Sequence, residues 1–168
     1  IKLSPFTLNE CEQFFKSKNI PISRYDIVQS YMIFGGVPYY LNYFEPQLSL
    51  PQNVDRLMFA NDGKLKDEYD RLFASVFSSP EDIKAIVECI GRRHSGYMRK
   101  EISSFTGIED SGNLSDKLKA LVASNFIIEY APFGDSVRNT RYKLVDPFCR
   151  FYQTYIKGRH NLPEDFWT

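Results

Sequence analysis

Apolar residues along this chain recur mostly at helical spacing, and strict alternation of charged with apolar residues is confined to one short stretch. Thr7 with Glu10 three residues on has the form of a capping box, and Leu8, Cys11, Phe14 and Phe15 then fall on one helical face. A second helix is predicted from Ser23, with Asp26 in its first turn and Ile27, Tyr31 and Phe34 at helical spacing; it stops at Gly35-Gly36. Pro38 starts a short apolar helix carrying Tyr39, Tyr40, Leu41 and Phe44, closed by a loop from Pro46 to Pro51. Val54, Leu57 and Met58 make another amphipathic turn or two before Asn61-Asp62-Gly63 breaks the chain. From Leu65 the set Tyr69, Leu72, Phe73, Val76 and Phe77 keeps the helix period as far as Ser78-Ser79. No strand is needed in this part.

Beyond Ser79 the pattern changes. Ser79-Pro80-Glu81-Asp82 predicts a helix start, with a capping hydroxyl, proline at the first helical position and two carboxylates at the positive end of the dipole. Ile83, Ile86, Val87 and Ile90 supply its buried stripe. After Gly96 a second helix carries Met98, Ile102 and Phe105 to Gly107, and Gly112-Asn113 opens a third with Leu114, Leu118, Leu121 and Val122. Phe126 to Tyr130 and Arg141 to Val145 favour β structure and bracket a polar loop, predicting a hairpin. Asp146-Pro147 then caps a final helix with an aromatic stripe of Phe148, Phe151, Tyr152, Tyr155 and Ile156. The fold class predicted is mainly α: a helical domain over residues 1–78, then a winged helix-turn-helix over 79–168 that carries a small β-hairpin wing and the C-terminal helix.

Composition narrows the functional classes. Of 168 residues 43% are hydrophobic and 15% aromatic, enough to bury two small cores through large flat side chains. Lys plus Arg equals Asp plus Glu at 21 each, so any nucleic-acid surface must be local. No apolar run reaches the roughly 20 residues that span a bilayer, and the first residues lack signal-peptide grammar, so a cytoplasmic address and no membrane partner are expected. Cys11, Cys89 and Cys149 read as core hydrophobes; His94 and His160 are isolated, and no nucleophile constellation appears. The chain opens on Ile1-Lys2-Leu3 and stops at Phe166-Trp167-Thr168, and further protein is expected on both sides.

If the third helix of the winged unit reads duplex DNA, its exposed face presents Asn113, Ser115, Lys117 and Lys119, while Arg138 and Arg141 serve on the wing. Asp116 sits among those lysines, and Arg92, Arg93, Arg99 and Lys100 are offset by Glu101, Glu109 and Asp110. A protein-contact module and a plain solvated surface therefore stand beside DNA binding.

In the first domain Phe34-Gly35-Gly36-Val37-Pro38-Tyr39-Tyr40-Leu41 interrupts a helix with paired glycines and restarts it with proline, a joint that lets backbone approach something closely. Together with Leu3-Ser4-Pro5-Phe6, Glu10 and the closing Tyr142-Lys143-Leu144-Val145-Asp146-Pro147-Phe148, it resembles the archaeal and bacterial AAA+ ATPases related to the STAND group. The resemblance implies a helical lid over residues up to about 78, followed by an appended winged helix. It implies that Pro38 lies against the adenine of a nucleotide with Gly35 and Gly36 giving the close approach, that ATP and Mg²⁺ belong to the parent protein, and that a missing N-terminal ATPase core is a partner. Motion at Gly35-Gly36 and at Ser78-Ser79 would then couple nucleotide state to the winged helix and to duplex DNA or another protein.

This chain itself carries no P-loop, since its one Gly-Lys pair, Gly63-Lys64, is followed by Leu65, so no catalytic residue and no cofactor is assigned to it. Phe126-Ile127-Ile128-Glu129 and Asp82 with Lys84 imitate fragments of ATPase and nuclease signatures, but a wing strand and a helix's first turn explain them better. Two other readings stay open: a stand-alone winged-helix transcription regulator dimerised by its first domain, and a protein-binding adaptor.

Overall fold

The computed structural model describes residues 4–136 and 139–168. Among them the chain is mainly helical, with nine α-helices, one π-helical turn and a small three-stranded antiparallel sheet. It forms two compact units: the chain up to Tyr69 together with Pro147–Thr168, and Asp70–Asp146. These cuts differ from the expected division at residue 78. The ninth helix belongs with the first unit rather than with residues 79–146, because its aromatic partners lie there.

The first unit begins with α1 (Leu8–Ser17), whose capping box forms as expected: the Thr7 N–H donates to Glu10 at 2.7 Å and the Glu10 N–H to the Thr7 hydroxyl at 3.3 Å. Helix α2 (Arg24–Phe34) is capped by Ser23 and ends at Gly35, and α3 (Pro38–Leu41) starts at the proline. A Ser49–Gln52 capping box, not anticipated from the sequence, opens α4 (Leu50–Val54). That helix runs on into the π-helical turn Asp55–Phe59, closed where the Ala60 N–H donates to the Asp55 carbonyl at 2.9 Å. Helix α5 (Glu68–Val76) starts three residues later than its apolar period suggests, although Leu65 is buried in the turn before it.

The core of this unit is aromatic. Phe44 takes Phe15 and Phe34 at centroid distances of 5.2 and 5.4 Å. Helix α9 (Pro147–Tyr155) packs on α2, and its Phe148 meets Tyr40 at 5.0 Å while Tyr152 stacks on Tyr69 at 4.1 Å, 6° from parallel. The buried Asn53 ties down the preceding loop. Its Oδ1 accepts the Glu45 N–H at 2.8 Å, and its amide nitrogen reaches the carbonyls of Glu45, Leu48 and Ser49 at 3.1 to 3.2 Å.

The second unit comprises the remainder of α5, then α6 (Pro80–Gly91), β1 (Tyr97–Met98), α7 (Arg99–Thr106), α8 (Gly112–Ala123), β2 (Ile127–Tyr130) and β3 (Arg141–Leu144). The sheet order is β1-β3-β2, with Tyr97 opposite Tyr142 and Ile127 opposite Leu144. Strand β1 is an addition to the expected two-stranded hairpin; two residues are too few to show an alternation. It is admitted by Gly96, at φ 70°, where an added Cβ would strike the Tyr142 carbonyl. Ile83, Ile86, Ile90, Ile102, Leu114, Leu118 and Leu121 form the unit's buried core, whereas Phe105 is exposed rather than part of it. The Ser79 hydroxyl makes no capping bond, so proline and the two carboxylates carry the start of α6. No helix among the described residues is long and apolar enough to cross a membrane.

Because Asn53 is 1% exposed and satisfies several backbone groups at once, Asn53→Ala is expected to cost about 2 to 3 kcal/mol. Urea denaturation of the two proteins checks this, and a loss below half of that range would mean water replaces the amide.

Candidate interaction surfaces

Gly35 closes α2 with its N–H on the Tyr31 carbonyl at 2.9 Å, and both Gly35 and Gly36 have left-handed φ, 68° and 67°. The close approach that these glycines permit is used by the chain itself. A Cβ on Gly36 would meet the Phe6 carbonyl and come within 2.7 Å of the Tyr31 ring, and one on Gly35 would lie 3.1 Å from the Pro147 ring. The Phe6 N–H donates to the Gly36 carbonyl at 2.8 Å. Both glycines are buried, while Pro38 and Tyr39 are exposed. Tyr25, Val28 and Met32 are exposed as well and share one face of α2, so apolar surface lies on either side of the joint.

Gly63 faces the wrong groups for phosphate. The position of its missing Cβ lies 2.8, 3.0 and 3.2 Å from the carbonyl oxygens of Leu57, Ala60 and Arg56, a ring of acceptors that repels an anion.

The residues expected to face nucleic acid fare differently from one another. On α8 Asn113 and Lys119 are exposed, and Ser115 is half-buried. Lys117 is withdrawn: its side chain is 11% exposed, its ammonium lies 3.5 Å from Asp82 on α6, and it donates to Asn113. Arg141 is half-buried in β3, in register with Met98 on one side and Tyr130 on the other. Arg138 lies outside the described residues.

Other cations of this unit are also engaged. Arg93 donates to both Glu101 oxygens at 2.9 Å and to the Gly96 carbonyl at 2.7 Å, with its guanidinium 3.9 Å over the Tyr97 ring. Desolvation pushes the Glu101 carboxyl up, but the Met98 N–H and Arg93 outweigh it and hold it below the usual glutamate value. Arg99 pairs with Asp110 and donates to the Ser111 carbonyl at 2.7 Å. Lys84 pairs with Asp70 at 2.7 Å.

Apolar groups are displayed instead. Phe133 is fully exposed in the loop after β2, and Ile128 and Val145 are exposed beside a shallow groove of about 420 Å³ that Val122, Asn125, Ile127 and Glu129 complete. Sequence reasoning missed Phe133 and this groove; an aromatic residue in an otherwise largely polar loop was the available signal. No group of three or more His, Cys, Asp or Glu among the described residues is placed to hold a metal ion. The three cysteines are buried thiols, and burial pushes those of Cys11 and Cys89 up, away from nucleophilic character.

Gly36→Ala is expected to destabilise the protein by about 2 to 4 kcal/mol, from left-handed strain plus overpacking against Phe6 and Tyr31. Chemical denaturation reads this directly, and a loss under about 1 kcal/mol would show the Phe6 segment to be readily displaced from the joint. Compared with protein-family models, with curated proteins and with solved structures, the chain matches none.

Proposed function

We propose that this chain is the lid and winged-helix portion of an AAA+ type ATPase, and that its winged helix engages a protein in preference to duplex DNA. The order α6-β1-α7-α8-β2-β3 with the sheet arranged β1-β3-β2 supports the winged-helix reading, in which α8 is the reading helix and the β2–β3 loop is the wing. The lid reading rests on the buried glycine turn that presents Pro38 and Tyr39 outward. With Gly35 and Gly36 filled by their own chain, Pro38 is the position left to meet a nucleotide held by a core domain. In this reading ATP and Mg²⁺ belong to that core, the setting is cytoplasmic, and this portion transmits rather than catalyses.

The observation that carries the preference for protein is Lys117. A duplex-binding helix gains affinity by releasing counterions through free cations, and this lysine is already spent on Asp82 within the unit. Phe133 and the groove beside Ile128 offer apolar contact of the kind that protein partners bury.

Fluorescence anisotropy with duplex DNA over a range of salt tests this. The expected affinity is no tighter than about 10⁻⁴ M at physiological salt, the weak edge of non-specific binding. Asp82→Asn, by removing the carboxylate that neutralises Lys117, should steepen the log–log salt slope by up to about one. A tight complex with a defined duplex, weakened by Lys119→Ala and Asn113→Ala, would overturn the protein reading in favour of a DNA reader.

A further inference from the structure

Residues 164–168 run over the first unit as a strap after α9, held by contacts of a kind that recognises a peptide. Asp55, 6% exposed in the π-helical turn, accepts the Trp167 N–H at 2.6 Å and the Thr168 N–H at 2.9 Å, and it also takes the Thr168 hydroxyl. Both N–H groups are available to one carboxylate because residues 167 and 168 lie in neither a helix nor a paired strand. Asn61 donates from its backbone and its side-chain amide to Glu164. Phe166 packs on Phe59 at 4.9 Å, and Trp167 meets Phe151 and Tyr155 edge to face at 5.0 and 4.9 Å.

Each contact reads a different property of the strap: an acid at 164, an aromatic ring at 166, a large aromatic ring at 167, and two amides with a hydroxyl at 167–168. The bonds that anchor it come from the Asp55 carboxylate and from the backbone and side-chain amides of Asn61, and the strap stays half-buried at Phe166 and Trp167 and exposed at Glu164, Asp165 and Thr168. A carboxylate buried in a turn with no donors would cost far more than one at the surface, so Asp55 calls for an occupant of this chemistry. We propose that Asp55, Asn61, Phe59, Phe151 and Tyr155 form a recognition groove for an extended acidic-aromatic segment of a partner protein. Residues 164–168 occupy it in cis and are displaced when that segment binds. This inference is independent of the ATPase reading.

Trp167 is the single tryptophan of the chain, so its emission reports the strap directly. The test uses the full chain titrated with the tryptophan-free hexapeptide Pro-Glu-Asp-Phe-Tyr-Thr and with a scrambled control. The expected result is a saturable red shift of the emission and a rise in acrylamide quenching with the hexapeptide alone, with far-UV circular dichroism unchanged. Asp55→Asn, which sets an amide against the donors, should shift the emission before any peptide is added and weaken peptide binding about tenfold or more. Phe166→Ala leaves the groove intact and loosens its occupant, so the hexapeptide should bind it more tightly than it binds the unaltered chain. An emission that the hexapeptide leaves unmoved in both the unaltered chain and Phe166→Ala, or a response that Asp55→Asn retains at full strength, would overturn the proposal.

Discussion

The stack of Tyr152 on Tyr69 decides how this chain is partitioned. Two residues separate β3 from α9, and nothing local prevents that helix from joining the sheet unit it follows. What draws it to the first unit is the set of rings waiting there: Tyr69 for Tyr152, Tyr40 for Phe148 and Phe59 for Phe151. Rings of this size bury roughly 150 to 250 Å² each, so a few such pairs outweigh the preference of a short segment for its sequence neighbours. Asp70–Asp146 thereby becomes an insertion within the chain path of the first unit. The packing of Gly35 on Pro147 and the course of the strap over the π-helical turn both presuppose that return.

Several cations of the inserted unit sit in ion pairs. Lys117 with Asp82, Arg93 with Glu101, Arg99 with Asp110 and Lys84 with Asp70 each neutralise a cation locally. Such pairs add little to stability when solvent reaches them. A helix whose lysine is already neutralised offers less attraction to phosphates.

The glycine pair illustrates how one motif admits two physical uses. Paired glycines before a proline are compatible with a flexible joint or with a place where backbone is approached closely. Here Phe6, Tyr31 and Pro147 occupy the space that side chains would have filled, which makes the joint a packed turn presenting Pro38. Two of these, Phe6 and Pro147, are distant in sequence, which is why spacing alone could not distinguish the two uses.

Much of the local architecture was legible in the residues themselves. The Thr7–Glu10 capping box, the stop of α2 at Gly35, the start of α3 at Pro38 and the end of α7 at Gly107 follow from hydrogen-bond valence and backbone sterics acting over a few residues. The helical periods of α6 and α8 and the β character of residues 127–130 and 141–144 were equally plain, because each is written in neighbouring side chains. Tertiary structure alone decided the rest: the third strand at Tyr97–Met98, the docking of α9, the withdrawal of Lys117 and the meeting of Asp55 with Trp167 and Thr168. Each of these is a pairing between groups that many other groups in the chain could chemically replace. Composition and period specify that a residue needs a partner; only three-dimensional packing, where one arrangement excludes the others, specifies which partner it finds.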